Sequence, residues 1–119
     1  MSEPVNNTIF GKIIRGEIPC DKVFEDEDVL AFRDIHPAGP THVLIIPKKR
    51  HIPTINDATA EDQALLGKML LTAAEVARSE GIDQSGYRLV INCNQHGGQT
   101  VYHLHMHIIG GRALGWPPG

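Results

Sequence analysis

The sequence predicts an α+β domain built on a five-stranded, mainly antiparallel sheet with one short and one long helix. Two observations predict it. Short β-rich stretches bounded by turn residues occur five times, and one long stretch repeats apolar residues every three or four positions. Three of the strands precede that long helix and two follow it, which suggests helices packed on one face of the sheet.

Thr8 reads as an N-cap, and Ile9, Phe10, Ile13 and Ile14 have helical spacing before Gly16 and Pro19 end the first helix. Residues 22–25 and 29–33 form a hairpin around the acidic turn Asp26-Glu27-Asp28. A Pro/Gly loop, 36–40, leads into a third strand over 41–46 that Pro47 closes. Thr59-Ala-Glu-Asp62 has capping-box spacing and opens the long helix, which runs to about Glu80 with Gly81 as its stop. Its stripe of Leu65, Leu66, Met69, Leu70, Ala73, Val76 and Ala77 reads as core. A fourth strand covers 87–92, a loop covers 93–100, and a fifth strand covers 101–109.

The 119 residues make one domain, 1–119, with a flexible leader over 1–7 and an irregular Gly/Pro-rich tail over 110–119. Trp116 in that tail needs an external surface to bury against, and a partner subunit would supply one. Hydrophobic content of 41% and charged content of 21% are those of an ordinary soluble protein. No apolar run approaches the ~20 residues that span a bilayer, and Met1-Ser-Glu-Pro-Val lacks a signal-peptide layout, so no membrane partner and a cytoplasmic location are expected. A net charge of -3 argues against a nucleic-acid polymer as partner. Cys20 and Cys93 stand far apart and fit neither a zinc knuckle nor a redox pair.

The most informative segment is Tyr102-His-Leu-His-Met-His-Ile-Ile109. On a strand, His103, His105 and His107 would share one face while Leu104, Met106 and Ile108 share the other. A metal site competes with phosphate chemistry here, since imidazole is the usual zinc ligand. Side chains on one strand face stand about 7 Å apart, however, so converging all three on one ion would strain the strand, and no metal is expected. A neutral imidazole is instead a good nucleophile toward phosphorus, provided an acceptor such as a backbone carbonyl holds its other nitrogen. Charge building on the phosphoryl oxygens needs fixed donors, which the Gly97-Gly98-Gln99-Thr100 segment and Asn92 are placed to supply. His42 reads alone as a structural histidine, unless its strand lies beside the histidine strand and extends the row. Asp34 reads as a turn residue or as an acceptor for ribose hydroxyls. His36, His51 and His96 have loop surroundings that suggest surface positions only.

With these residues assembled, the chain resembles the histidine triad family, with signature His-φ-His-φ-His-φ-φ where φ is apolar, and most of all its Hint branch of nucleotide-binding proteins. The resemblance runs through Thr8 to Arg15, Ala31 to Ile35, Pro40 to Pro47, Gly97 to Arg112 and the terminal Trp116-Pro-Pro-Gly119. It implies the family's fold, with the sheets of two subunits joined across a homodimer to which the tail contributes. It implies hydrolysis of the P–N bond of purine nucleoside phosphoramidates, such as adenosine 5'-phosphoramidate and adenylated lysine, through a nucleotidyl-histidine intermediate and without a cofactor. By position, His105 is implied as nucleophile and His107 as phosphate contact, with His103 and His42 supporting them. Asn92, Gly98, Gln99 and Thr100 are implied around the phosphate and leaving group, Asp34 and Ile35 at the nucleoside, and Trp116 near the neighbouring site. A histidine at 107, where transferase relatives carry glutamine, favours hydrolysis. A dinucleoside polyphosphate hydrolase, a nucleotide-binding interaction module and a zinc-dependent enzyme are the competing readings.

Overall fold

In a computed structural model, which describes residues 6–119, the chain forms a sheet of order β1-β2-β3-β5-β4 with every neighbouring pair antiparallel. The strands are β1 (Lys22–Glu25), β2 (Val29–Arg33), β3 (Thr41–Pro47), β4 (Tyr87–Val90) and β5 (Met106–Gly110). The helices are α1 (Ile9–Ile14), α2 (Gln63–Ser79) and a short α3 (Asn94–Gly97) within the segment expected as a loop. Residues 1–5 of the expected leader lie outside the described residues. No helix among the described residues is long and apolar enough to cross a membrane.

The helices lie on opposite faces of the sheet, which corrects the expectation of a single covered face. On one side α2 brings Met69, Ala73, Val76 and Ala77 against Val29, Ala31, Val43, Ile45 and Ile108. On the other, Phe10 of α1 packs with Leu30, Phe32, Leu44 and Ile46. The reason is visible in β2 and β3, whose runs Val29–Phe32 and Val43–Ile46 are buried throughout and so need cover on both sides. α1 is held by Thr8, whose hydroxyl accepts from the Gly11 N–H at 3.1 Å as the N-cap was expected to do. The capping box at Thr59 and Asp62 is present, but it opens a 3-10 turn over 60–62, and the α-helix proper follows from Gln63.

The acidic turn after β1 is tied into the fold. Lys68 of α2 reaches Asp26 at 2.6 Å and Asp28 at 2.9 Å. Its ammonium holds the Asp26 carboxyl down at about 2, and the two carboxylates push Lys68 up to about 12.

β5 is shorter than expected, starting at Met106 rather than Val101. The ladder ends where β3 reaches Pro47, which has no N–H to donate and whose carbonyl accepts from the His103 ring at 3.0 Å. The alternation of faces nonetheless persists upstream. Leu104, Met106 and Ile108 join the α2 side, while His103 and His105 lie edge-on to Phe10 on the α1 side, at 6.1 and 5.0 Å between ring centres.

Candidate active site

A cavity of about 290 Å³ opens on the α1 face between α1, the loop carrying residues 18–21 and the ends of β2 and β5. Ile9, Phe10, Ile13, Ile18 and Phe32 make its walls apolar, and Asp34, Ile35, Thr100, His105 and His107 also line it. Such a space suits a flat apolar ring system joined to a polar, charged group.

The hydrogen bonds fix which nitrogen of each imidazole carries the proton. The Nδ1 of His105 lies 2.7 Å from the His103 carbonyl oxygen, so Nδ1–H donates and Nε2 keeps its lone pair. The Nε2 of His103 donates to Pro47 O, and its Nδ1 lies 2.7 Å from Asn6 Nδ2, whose amide donates to it. β3 lies beside β5, so His42 does extend the histidine row, the alternative the sequence left open. The Ala38 N–H donates to His42 Nδ1 at 2.9 Å, which leaves the His42 proton on Nε2. That proton is donated to His107 Nδ1 at 2.9 Å, so His107 must carry its own proton on Nε2. His107 Nε2 is buried and has no partner among the described residues. It is a preorganised donor on the wall of the cavity, beside the His105 ring at 5.0 Å between centres.

Burial favours the neutral form of His103, His105 and His107. Desolvation lowers His103 and His107 to about 4 and also lowers His105, with the bond to His103 O and the charge of Asp34 partly opposing it there. An unfolded chain has histidines near 6.5 and therefore binds more protons than the folded one at pH values between about 4 and 6.5. Stability is then fully present above about pH 6.5 and is lost as pH falls. Buried His103 alone is expected to cost about 2 kcal/mol by pH 5, a range in which carboxylates stay ionised. Thermal melts from pH 7 to 5 should show a falling Tm, and a constant one overturns this assignment.

Asp34, His42 and His107 offer ligand atoms within 4.8 Å of one another, the closest approach to a metal-binding group among the described residues. His42 Nε2 carries a proton and His107 Nδ1 accepts it, so two of those atoms face each other rather than a shared ion. The three histidines of the motif do not converge either, because His103 and His105 each bond a backbone carbonyl.

Other expected residues fall outside the cavity. Gln99 is buried, its side chain accepting from the Asn94 N–H and donating to the Pro53 and Val101 carbonyls. The Gly98 and Gln99 amides bond Gln95 O and Asn94 O within the α3 turn, where Gly98 adopts φ +78°. Of that segment, Thr100 and Val101 line the cavity. Asn92 is half-buried against Gly97. Trp116 is 82% exposed, with the Arg88 guanidinium 6.0 Å from its ring centre.

Sequence reasoning missed two supporting residues. His51, expected only at the surface, stacks on His103 at 5.5 Å and bonds the Tyr102 carbonyl. Asn6, placed in the leader, fixes His103 from 97 positions away. The one local signal for Asn6 was Gly11 inside a helix, since a Cβ there would come within 2.6 Å of Asn6 O.

Comparisons with known proteins agree with the fold. The HIT domain family matches residues 15–114. The chain is 59% identical over 108 residues to a purine nucleoside phosphoramidase of Escherichia coli (strain K12), covering 91% of this chain and 90% of that protein. The crystal structure of a HIT family hydrolase from Legionella pneumophila Philadelphia 1 superposes with a TM-score of 0.92 at 56% identity, covering 95% of this chain and 100% of that one. A histidine triad protein from Clostridium difficile gives 0.88 at 39% identity, with 97% of each chain covered. The resemblance read from the motif is thus matched by sequence and by fold, and the chain belongs to the HIT domain family.

Proposed function

We propose that this protein hydrolyses the P–N bond of purine nucleoside phosphoramidates, releasing the nucleoside monophosphate and an amine, with His105 as nucleophile. The observation that carries the reading is the tautomer of His105, with Nδ1–H held by the His103 carbonyl and a lone pair on Nε2 at the wall of a nucleoside-sized cavity. The activity named for the E. coli relative supports it.

In this reading the nucleoside lies among Phe10, Phe32 and Ile35, with ribose hydroxyls toward Asp34. His105 Nε2 attacks phosphorus, the P–N bond breaks, and the amine leaves with a proton taken from solvent. The imidazole then bears the nucleotidyl group, through phosphorus, on Nε2 and a proton on Nδ1, so the ring is cationic, and the bond to the His103 carbonyl stabilises that charge. Water attacks the phosphorus, His105 regains its lone pair and the water's proton returns to solvent. His107 Nε2–H meets the phosphoryl oxygen on which charge builds, and Thr100 adds a hydroxyl.

A homodimer is part of the same proposal. β4 is bonded on one side only, Leu70 and Leu71 of α2 are 51% and 71% exposed, and Trp116 is open, all of which a second copy would cover. A dimer by sedimentation is expected. In the same preparation, an adenosine phosphoramidate should turn over much faster than a dinucleoside polyphosphate. The reverse order would favour a polyphosphate hydrolase, and tight nucleotide binding without turnover of either would favour a binding module.

A further inference from the structure

We propose that Arg112 is a positioning residue for this reaction: by clasping the Ala38 carbonyl it fixes the loop amide that sets the tautomers of His42 and His107. The inference rests on the proposed role of His107 as phosphate donor. Arg112 Nε and Nη2 donate to Ala38 O at 3.0 and 2.8 Å, and Nη1 donates to Ala113 O at 3.0 Å. All three bonds of this exposed guanidinium therefore go to backbone carbonyls. Two of them hold one atom of a loop that lies between β2 and β3 without ladder bonds of its own.

The contact is built into the backbone on both sides. A Cβ at Gly39 would lie 3.0 Å from Gly110 O, and one at Gly111, which adopts φ +87°, would lie 2.8 Å from Pro40 Cβ. Glycine at these positions lets the loop close onto the end of β5, where Arg112 reaches it.

The consequence for chemistry is a reversal of sign. With the Ala38 N–H in place, His42 accepts at Nδ1 and donates at Nε2, and His107 presents N–H to the cavity. If Ala38 swings away, His42 loses the donor at its Nδ1, and only the Asp34 carboxylate, 3.5 Å from Nε2, still favours that tautomer. With the His42 proton on Nδ1, the bond between the two rings survives only if His107 donates from its own Nδ1. His107 Nε2 then presents a lone pair to an anionic phosphoryl oxygen, which repels it. The loop amide thus shifts the balance between presenting a donor and presenting an acceptor to the substrate.

The test is the imidazole 15N spectrum of the free protein, which separates protonated from unprotonated ring nitrogens, read beside steady-state kinetics. Wild type should show His107 protonated at Nε2. Arg112→Gln should show a mixture of tautomers at His42 and His107, with kcat down about 10- to 100-fold and KM within about threefold. Arg112→Lys, which retains a single donor group, should recover part of both. Gly39→Ala, which pushes the loop off β5, should shift the same resonances and covers the case in which Arg112→Gln folds poorly. Unchanged ring resonances in these variants overturn the proposal, and a fall in activity with unchanged resonances assigns Arg112 a purely structural role. The spectrum needs no substrate, so it decides the relay even if wild type turns over no phosphoramidate, an outcome that would overturn the proposed activity instead.

Discussion

Replacing His105 with alanine is expected to lower kcat/KM toward an adenosine phosphoramidate by about four orders of magnitude or more, while nucleoside monophosphate still binds. The size follows from the role, because without a nucleophile only positioning and electrostatic help remain. Most of the cavity wall is untouched by the change, since Phe10, Phe32, Asp34 and Ile35 come from other elements. The His105 ring packs edge-on to Phe10, so His105→Gln, which keeps more of that volume, is the second variant to measure. Activity within a few-fold of wild type in both would remove His105 from the chemistry. Loss of nucleotide binding in parallel with turnover would point to a damaged pocket.

His107→Ala is expected to lower kcat by about 10²- to 10³-fold with a smaller change in KM, the usual cost of deleting one fixed donor to a charge that develops in the transition state. The donor is buried and unpartnered in the free protein, so it does not have to leave another bond when substrate arrives. The substitution also removes the nearer acceptor of the His42 Nε2–H, leaving the Asp34 carboxylate at 3.5 Å, in a residue only 8% exposed, which should cost about 1–3 kcal/mol of stability. Kinetics at a temperature well below the variant's Tm separate the two effects. A kcat fall of less than tenfold under those conditions would mean that His107 does not carry the transition-state charge.

Much of the fold was legible because the signals are local. The 3.6-residue period of α2, the hairpin around Asp26 to Asp28 and the N-cap at Thr8 each rest on residues within one turn of one another. The two-residue period of the histidine segment is equally local, and it sorted Leu104, Met106 and Ile108 from His103, His105 and His107 although the ladder itself starts only at Met106. What was misread required knowing what lies across the sheet. The continuous apolar runs of β2 and β3 are compatible with cover on one side or two, and only packing showed α1 and α2 on opposite faces. The segment from Gly97 to Thr100 looked like a cradle of free amides because glycine permits one, whereas two of those amides close the α3 turn.

By itself, the sequence determined which residue types share a face: a row of imidazoles backed by a buried apolar face, within a chain whose motif marks its family. The tertiary structure decided where the proton of each imidazole sits. Whether a ring nitrogen is a nucleophile or a donor depends on the partner of the other nitrogen, and those partners are Ala38 and His42 for His107, Pro47 and Asn6 for His103, and the His103 carbonyl for His105. Apart from that last bond and the Ala38 contact to His42, these pairings join positions 56 to 97 residues apart in the chain. A proton's place on an imidazole is set by contacts that exist only after the sheet has formed, and so no pattern along the chain can record it.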